Sequence, residues 1–240
     1  MFPSTSMPDR NWWTVLWPRP EQTLKALGIE PRMTVLDLCC GDGYFTAPLA
    51  NLVQGKVIAL DLDCEMLELA KAEVARQSAT VRQWLCADAM ALAEHVAEAV
   101  DCVLMANTFH GVPDQIGLAR AVQSVLRPQG LFAVANWYPS LREDTPVLGE
   151  PRGPRPDMRM SPQGVAAVVE PAGFKLAQIV ELPPYHYGAV FEALPSSTDA
   201  TPSRAHAICG GGRMRRSASV LRFCTMGRRG RTHRGRRTGL

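Results

Sequence analysis

The stretch VLDLCCGDGYFTAPLA, residues 35–50, decides the fold. It opens on a short apolar run broken by Asp37, turns through Cys39-Cys40-Gly41-Asp42-Gly43, and continues as a helix-like segment. A strand that turns through glycines into a helix is how a doubly wound α/β sheet begins. Ligands of such sheets lie outside the carboxyl ends of the strands, at the switch point beside the first one. Glycines there take dihedrals that a Cβ forbids and let the backbone come close to a ligand. Counted from Cys39 the frame is C-x-G-x-G, not the G-x-G-x-x-G of dinucleotide sites, which disfavours a pyrophosphate at the helix N-terminus.

Further strands follow on either side of later helix-like stretches. Residues 33–38 (MTVLDL), 56–61 (KVIALD), 81–87 (VRQWLCA), 101–107 (DCVLMAN) and 130–136 (GLFAVAN) are short and almost continuously apolar, as strands covered on both faces must be. Helices are expected at 44–53, 64–77, 88–98 and 114–126, the last stopped by Arg127-Pro128-Gln129-Gly130. Right-handed crossovers make this a doubly wound unit. Residues 138–160, with Pro139, Pro146, Pro151, Pro154 and Pro156, read as a long loop or mobile flap. A helix at 161–172 and two closely spaced strands, 174–182 and 187–194, complete the pattern as an antiparallel hairpin. The expected fold is therefore α/β and Rossmann-like. Its sheet has seven strands, mostly parallel with the last antiparallel, and helices on both faces. The division is a lid or helical segment at 1–32, a domain at 33–194 and a tail at 195–240.

Composition agrees with a globular chain. Of 240 residues 46% are hydrophobic and 20% charged, and no apolar run reaches the roughly 20 residues of a membrane span. The N-terminal MFPSTSMPDRNWW lacks the basic and apolar regions of a secretory signal, so a cytoplasmic location is expected. Seven cysteines, at 39, 40, 64, 86, 102, 209 and 224, form no CxxC pair. They read as small buried apolar residues, not as a zinc or disulfide framework, and no metal site is expected. Charge is uneven. Residues 195–240 hold eleven arginines, no lysine and one acid, Asp199, a net +10 that leaves −7 on the remainder of a chain at +3. The tail has no apolar periodicity and is expected to be disordered.

The segment 35–50 resembles motif I of class I S-adenosylmethionine (SAM)-dependent methyltransferases, D/E-x-G-x-G-x-G, with Cys39 in place of the first glycine as in the branch of ubiquinone- and menaquinone-biosynthesis methyltransferases. DLDCEMLELAK (61–71) is similar to the family's D-x-S-x-x-M-L-x-x-A stretch, CADAM (86–90) to its third motif, and DCVLMANTFHGVPD (101–114) with SVLRPQGLFAVANW (124–137) to its fourth motif and R-x-L-k-P-G-G turn. The resemblance implies SAM as cofactor and a methyl acceptor as partner. It places Gly41, Gly43 and Cys39 in the loop under the methionine moiety, with Asp37 ordering that loop and helping to hold the amino group. It puts Asp61, with adjoining Leu62, at the ribose, Asp88 and Ala89 at the adenine, and Asn107 beside the methyl donor. Asp63 is read instead as the cap of the following helix.

Methyl transfer from a sulfonium is largely in-line displacement, so positioning and desolvation do much of the work. A base is needed only where the nucleophile starts protonated. His110, just past the fourth strand, and His186 with Tyr185, in PPYHYG, are the candidates; each also has a packing reading. Trp12, Trp13 and Trp17 form either an apolar or cation-holding wall over the site or the glue of a leading helix.

The fourth-strand text ANTFHG lacks the N/D-P-P-Y/F element that stacks a flipped base, which favours a small-molecule acceptor. Two alternatives stay open. One is nucleic-acid binding through the Arg-rich tail, which also reads as an out-of-frame extension. The other is an NAD(P)-dependent oxidoreductase, against which the missing G-x-G-x-x-G frame stands.

Overall fold

The short apolar runs form one seven-stranded sheet in the computed structural model, which describes residues 10–195. β1 (Val35–Leu38), β2 (Val57–Asp61), β3 (Gln83–Cys86), β4 (Val100–Ala106) and β5 (Leu126–Trp137) pair in parallel. β9 (His186–Ala193) pairs antiparallel with β5 and with the edge strand β8 (Phe174–Leu182), giving the order β3-β2-β1-β4-β5-β9-β8. Seven strands, mostly parallel with the last antiparallel, is the expected sheet.

The inner strands β1, β2 and β4 are almost continuously buried because both faces are covered, whereas the edge strands β3 and β8 are largely exposed. Alternate residues point to opposite faces. Leu36, Leu38, Ile58, Leu60, Val103 and Phe132 enter one core, with α5 (Leu92–His95), α6 (Gln115–Val125) and α7 (Pro162–Val169). Val35, Val57, Ala59, Leu104 and Ala133 enter the other, with α1 (Arg10–Leu16), α2 (Pro20–Ala26), α3 (Thr46–Leu52) and α4 (Cys64–Arg76). Asp63 caps α4, accepting from the Glu65 and Met66 N–H groups, as the sequence suggests.

Three local expectations are corrected. The helix expected at 88–98 is a 3₁₀ turn at Ala89–Ala91, capped by Asp88 on the Met90 N–H, followed by the four-residue α5, which ends where Val96 turns extended. The strand expected from Gly130 already pairs at Leu126, opposite Val100. Arg127–Gly130 then bulge out, with Gln129 at φ +64°. Cys64 and Cys86, read as buried reduced residues, are exposed and joined by a disulfide. Parallel pairing sets Asp61 opposite Cys86, and the first turn of α4 brings Cys64 back over the end of β3.

The proline-rich segment 138–160 is a loop with structure of its own. β6 (Pro146–Val147) and β7 (Glu150–Pro151) form a minimal hairpin, Val147 is buried, and Thr145 Oγ1 donates to the Arg152 carbonyl. Among the described residues no helix is long and apolar enough to cross a membrane. The basic tail beyond Pro195 and the first nine residues lie outside the described residues, so the readings made of them are untouched.

Candidate active site

The loops after β1 to β4 meet along the carboxyl edge of the sheet. In the first, Cys39 (φ +60°), Gly41 (φ +54°) and Gly43 (φ +82°) all take left-handed backbone. The family's glycine at position 39 thus answers a real backbone demand, which Cys39 meets with its Cβ in place. Gly43 has a second reason. A Cβ there would lie 2.7 Å from the Ala70 Cα, so the loop rests directly on α4.

Two carboxylates tie this loop down. Asp37, buried in β1, accepts from Thr46 Oγ1 of α3 at 2.6 Å. Burial pushes its pKa up to about 7, against the lowering effect of that hydrogen bond, and the nearby Asp61 charge adds to the rise. Asp61, at the end of β2, accepts from the Gly41 N–H (2.8 Å) through Oδ2 and the Asp63 N–H (3.0 Å) through Oδ1. One carboxylate therefore joins the β1 loop to the β2 loop, with Leu62 half-exposed beside it. The Ala87 N–H donates to the Asp61 carbonyl (3.0 Å), bringing the β3 loop, with Asp88 and buried Ala89, to the same edge. Asn107 follows β4 at φ +57°; its N–H donates to the Ala135 carbonyl and its Oδ1 is buried without a partner. All nine residues expected at a cofactor fall at the carboxyl ends of four neighbouring strands or in the loops that follow them.

The second half of the edge holds the histidines. The Trp137 N–H donates to Asn136 Oδ1 (3.1 Å), which orients that amide with its oxygen toward His110 Nδ1 (2.9 Å). Nδ1 must then carry the proton, which leaves the lone pair on Nε2. Burial holds the His110 pKa below its usual value, only partly offset by the Asn136 hydrogen bond, so the ring is neutral at pH 7. His186 opens β9 opposite Trp137 and is fully buried between Trp137 (4.1 Å) and Trp17 (4.4 Å). Desolvation pushes its pKa well down. β8 runs parallel to β5, so the loop Pro183–Tyr185 opens on the carboxyl edge as the sequence reading requires. Tyr185, however, stacks on Trp137 and gives its hydroxyl to the Pro146 carbonyl (2.9 Å), which pins the 138–160 loop.

The N-terminal tryptophans are seen in their packing role. Trp13 and Trp17 are core residues, Trp17 edge-on to Phe45 of the glycine loop, whose neighbour Tyr44 donates to the Trp17 carbonyl (2.7 Å). Trp12 holds a cation, the Arg152 guanidinium, 4.4 Å from its ring centre. Arg10 adds ion pairs to Glu73 (2.6 Å) and Asp42 (3.5 Å). Asn136, Arg159 and Thr46 were missed by sequence reasoning. Each matters through a partner distant in the chain, and no local pattern marks it.

A doubly wound sheet of this order, with an acid and a glycine turn at its first strand, acids after its second and third and an amide after its fourth, is the architecture of class I SAM-dependent methyltransferases. Residues 35–130 match the family model described as a methyltransferase domain. It is 32% identical to the demethylmenaquinone methyltransferase of Lactococcus lactis over 123 residues, 50% of this chain and 48% of the relative. It is also 32% identical to the enzyme of the same name from Lactiplantibacillus plantarum over 110 residues, 45% of this chain and 46% of that one. The chain thus spans about half the length of these curated relatives. A solved SAM-dependent methyltransferase from Aquifex aeolicus superposes with a TM-score of 0.64 at 25% identity, covering 78% of this chain and 94% of that one.

The family uses SAM, and the residues present fit it. A buried carboxyl at Asp37 that titrates near neutrality is suited to an ammonium, the orphaned Asn107 Oδ1 wants a donor, and Gly41 and Gly43 put no side chain in the way of a ligand.

Proposed function

We propose that this protein transfers a methyl group from SAM to a small-molecule acceptor by in-line displacement. The observation that carries the reading is the meeting, at one sheet edge, of the Asp37–Asp61 loop with a neutral, oriented His110. The name of the two bacterial relatives supports a small acceptor, as does the absence of an N/D-P-P-Y/F element in ANTFHG.

In this reading Asp61 takes the ribose hydroxyls with lone pairs left after its two backbone bonds, and Leu62 flanks the adenosine. Asp88 accepts from the adenine amine while the Ala89 N–H reaches a ring nitrogen. Gly41 and Gly43, with Cys39 at the turn, line the methionine moiety. Asp37 holds its amino group and Asn107 lies beside the donor. SAM supplies an electrophilic methyl on a sulfonium that needs no further activation. The chain's own work is to orient the acceptor, exclude water and, for a protonated nucleophile, accept its proton at His110 Nε2.

The test is calorimetric titration with SAM and S-adenosylhomocysteine, with NADH as control. Saturable binding that Asp61→Ala weakens about tenfold, or roughly 1.4 kcal/mol, is expected. His110→Gln should then slow transfer to an identified acceptor while leaving S-adenosylhomocysteine affinity unchanged. Binding of NADH in preference to SAM would sink the reading.

A further inference from the structure

Under the 138–160 loop lies a cluster of buried polar atoms that cofactor binding does not use. Arg159 is 6% exposed. A guanidinium has five N–H donors. On Arg159, Nε donates to the Pro154 carbonyl (3.0 Å) and Nη2 to Thr145 Oγ1 (3.0 Å) and the Arg152 carbonyl (3.0 Å). Both N–H groups of Nη1 are buried and unpartnered. Among the described residues Arg159 forms no ion pair.

The guanidinium packs over the Trp137 ring, 5.1 Å from its centre. Trp137 in turn contacts His186, and His186 contacts Trp17. His186 is 1% exposed with neither ring nitrogen bonded, and the Trp17 indole N–H is also without a partner. The loop is built around this stack. Gly153 (φ +90°) passes so close that a Cβ would lie 2.9 Å from Arg159 Nη2 and 3.0 Å from the Trp137 ring. The Arg159 charge depresses both His186 and His110, so the stack and the proposed base share one electrostatic neighbourhood.

A buried cation and adjoining N–H groups with nothing to accept from them are costly until an oxygen-rich anion arrives. Flat rings are gathered at the stack, with Trp17 and Trp137 against His186 and Tyr185 stacked on Trp137. We propose that the methyl acceptor is an aromatic acid, its carboxylate held by Arg159 Nη1 and the His186 N–H between the tryptophans. Arg159 and His186 then set acceptor specificity. This rests on the methyltransferase reading above and narrows its substrate class.

The probes are 4-hydroxybenzoate and its neutral isostere 4-hydroxybenzamide, titrated into full-length protein saturated with S-adenosylhomocysteine. The acid is expected to bind about tenfold or more tighter than the amide, as a charge-assisted pair requires. Arg159→Gln should erase that preference without changing S-adenosylhomocysteine affinity, and Arg159→Lys should restore part of it. Equal affinities, or no saturable binding of the acid at millimolar concentration, would overturn the acceptor class while leaving the cofactor reading intact. Competition by inorganic phosphate as effective as that by unlabelled acid would reduce the site to a general anion trap and also overturn it. Failure of S-adenosylhomocysteine itself to bind would fall on the earlier reading instead. If Arg159→Gln does not fold, the acid–amide pair on the unmodified protein decides the matter.

Discussion

Asp37 is a carboxyl that the fold keeps only half-ionised at neutral pH. Its pKa rises from 3.8 to about 7 because burial outweighs the Thr46 hydrogen bond. Between those values the folded state binds more protons than the unfolded chain, so this group's contribution to stability falls as pH rises from about 4 to 7. Asp37→Asn, which can still accept from Thr46, should therefore stabilise the cofactor-free protein by roughly 2–4 kcal/mol at pH 8 and by almost nothing at pH 4. Urea melts at the two pH values check this, and the same variant should bind SAM more weakly. Cys39 makes a second residue-scale case. Its left-handed backbone favours glycine, so Cys39→Gly should be neutral to stabilising, by about 1 kcal/mol at most, whereas Cys39→Val should be clearly destabilising. Thermal melts of both variants, with Val no worse than Gly as the adverse outcome, decide it. The C-x-G-x-G spacing made this loop legible in sequence. The raised pKa of Asp37 was not, because it depends on what the fold packs around the carboxyl.

At the scale of elements, the disulfide joins the first turn of α4 to the end of β3 and so spans the two loops proposed to hold adenosine. A cross-link over 22 residues removes chain entropy worth about 3 kcal/mol from the unfolded state. Cys64→Ser with Cys86→Ser should lower stability by up to that amount, and the unmodified protein in dithiothreitol should match the double variant. A reductant-insensitive denaturation midpoint would show that the bond does not form in solution. The inner strands were legible in sequence because coverage on both faces makes them almost continuously apolar. The segment 88–98 was not, because the chain opens as a 3₁₀ turn and turns extended at Val96, which leaves only four residues of α-helix. The β8–β9 hairpin was readable from its short connection, yet only antiparallel pairing with β5 puts His186 against Trp137.

For the whole molecule, Trp17 is the point where the leading helices, the glycine loop and β9 meet. It touches Phe45 and His186 and takes the Tyr44 hydroxyl on its carbonyl. Trp17→Ala should cost about 3–5 kcal/mol as a buried large-to-small change. It should also weaken S-adenosylhomocysteine binding, since the glycine loop loses a wall. Calorimetry alongside the melt distinguishes this from a purely structural role, in which affinity per folded molecule would not move.

The sequence by itself determined the strand and helix order, the glycine-rich turn and the acids at successive strand ends. Each of these is written in residues adjacent in the chain, where periodicity and backbone freedom act. Only the tertiary structure decided that Cys64 pairs with Cys86, that Asn136 sets the His110 tautomer across 26 residues, and that Arg159 lies buried with an unused nitrogen. Pairing, tautomer and desolvation depend on which distant groups the folded sheet brings into contact, and no local pattern encodes that.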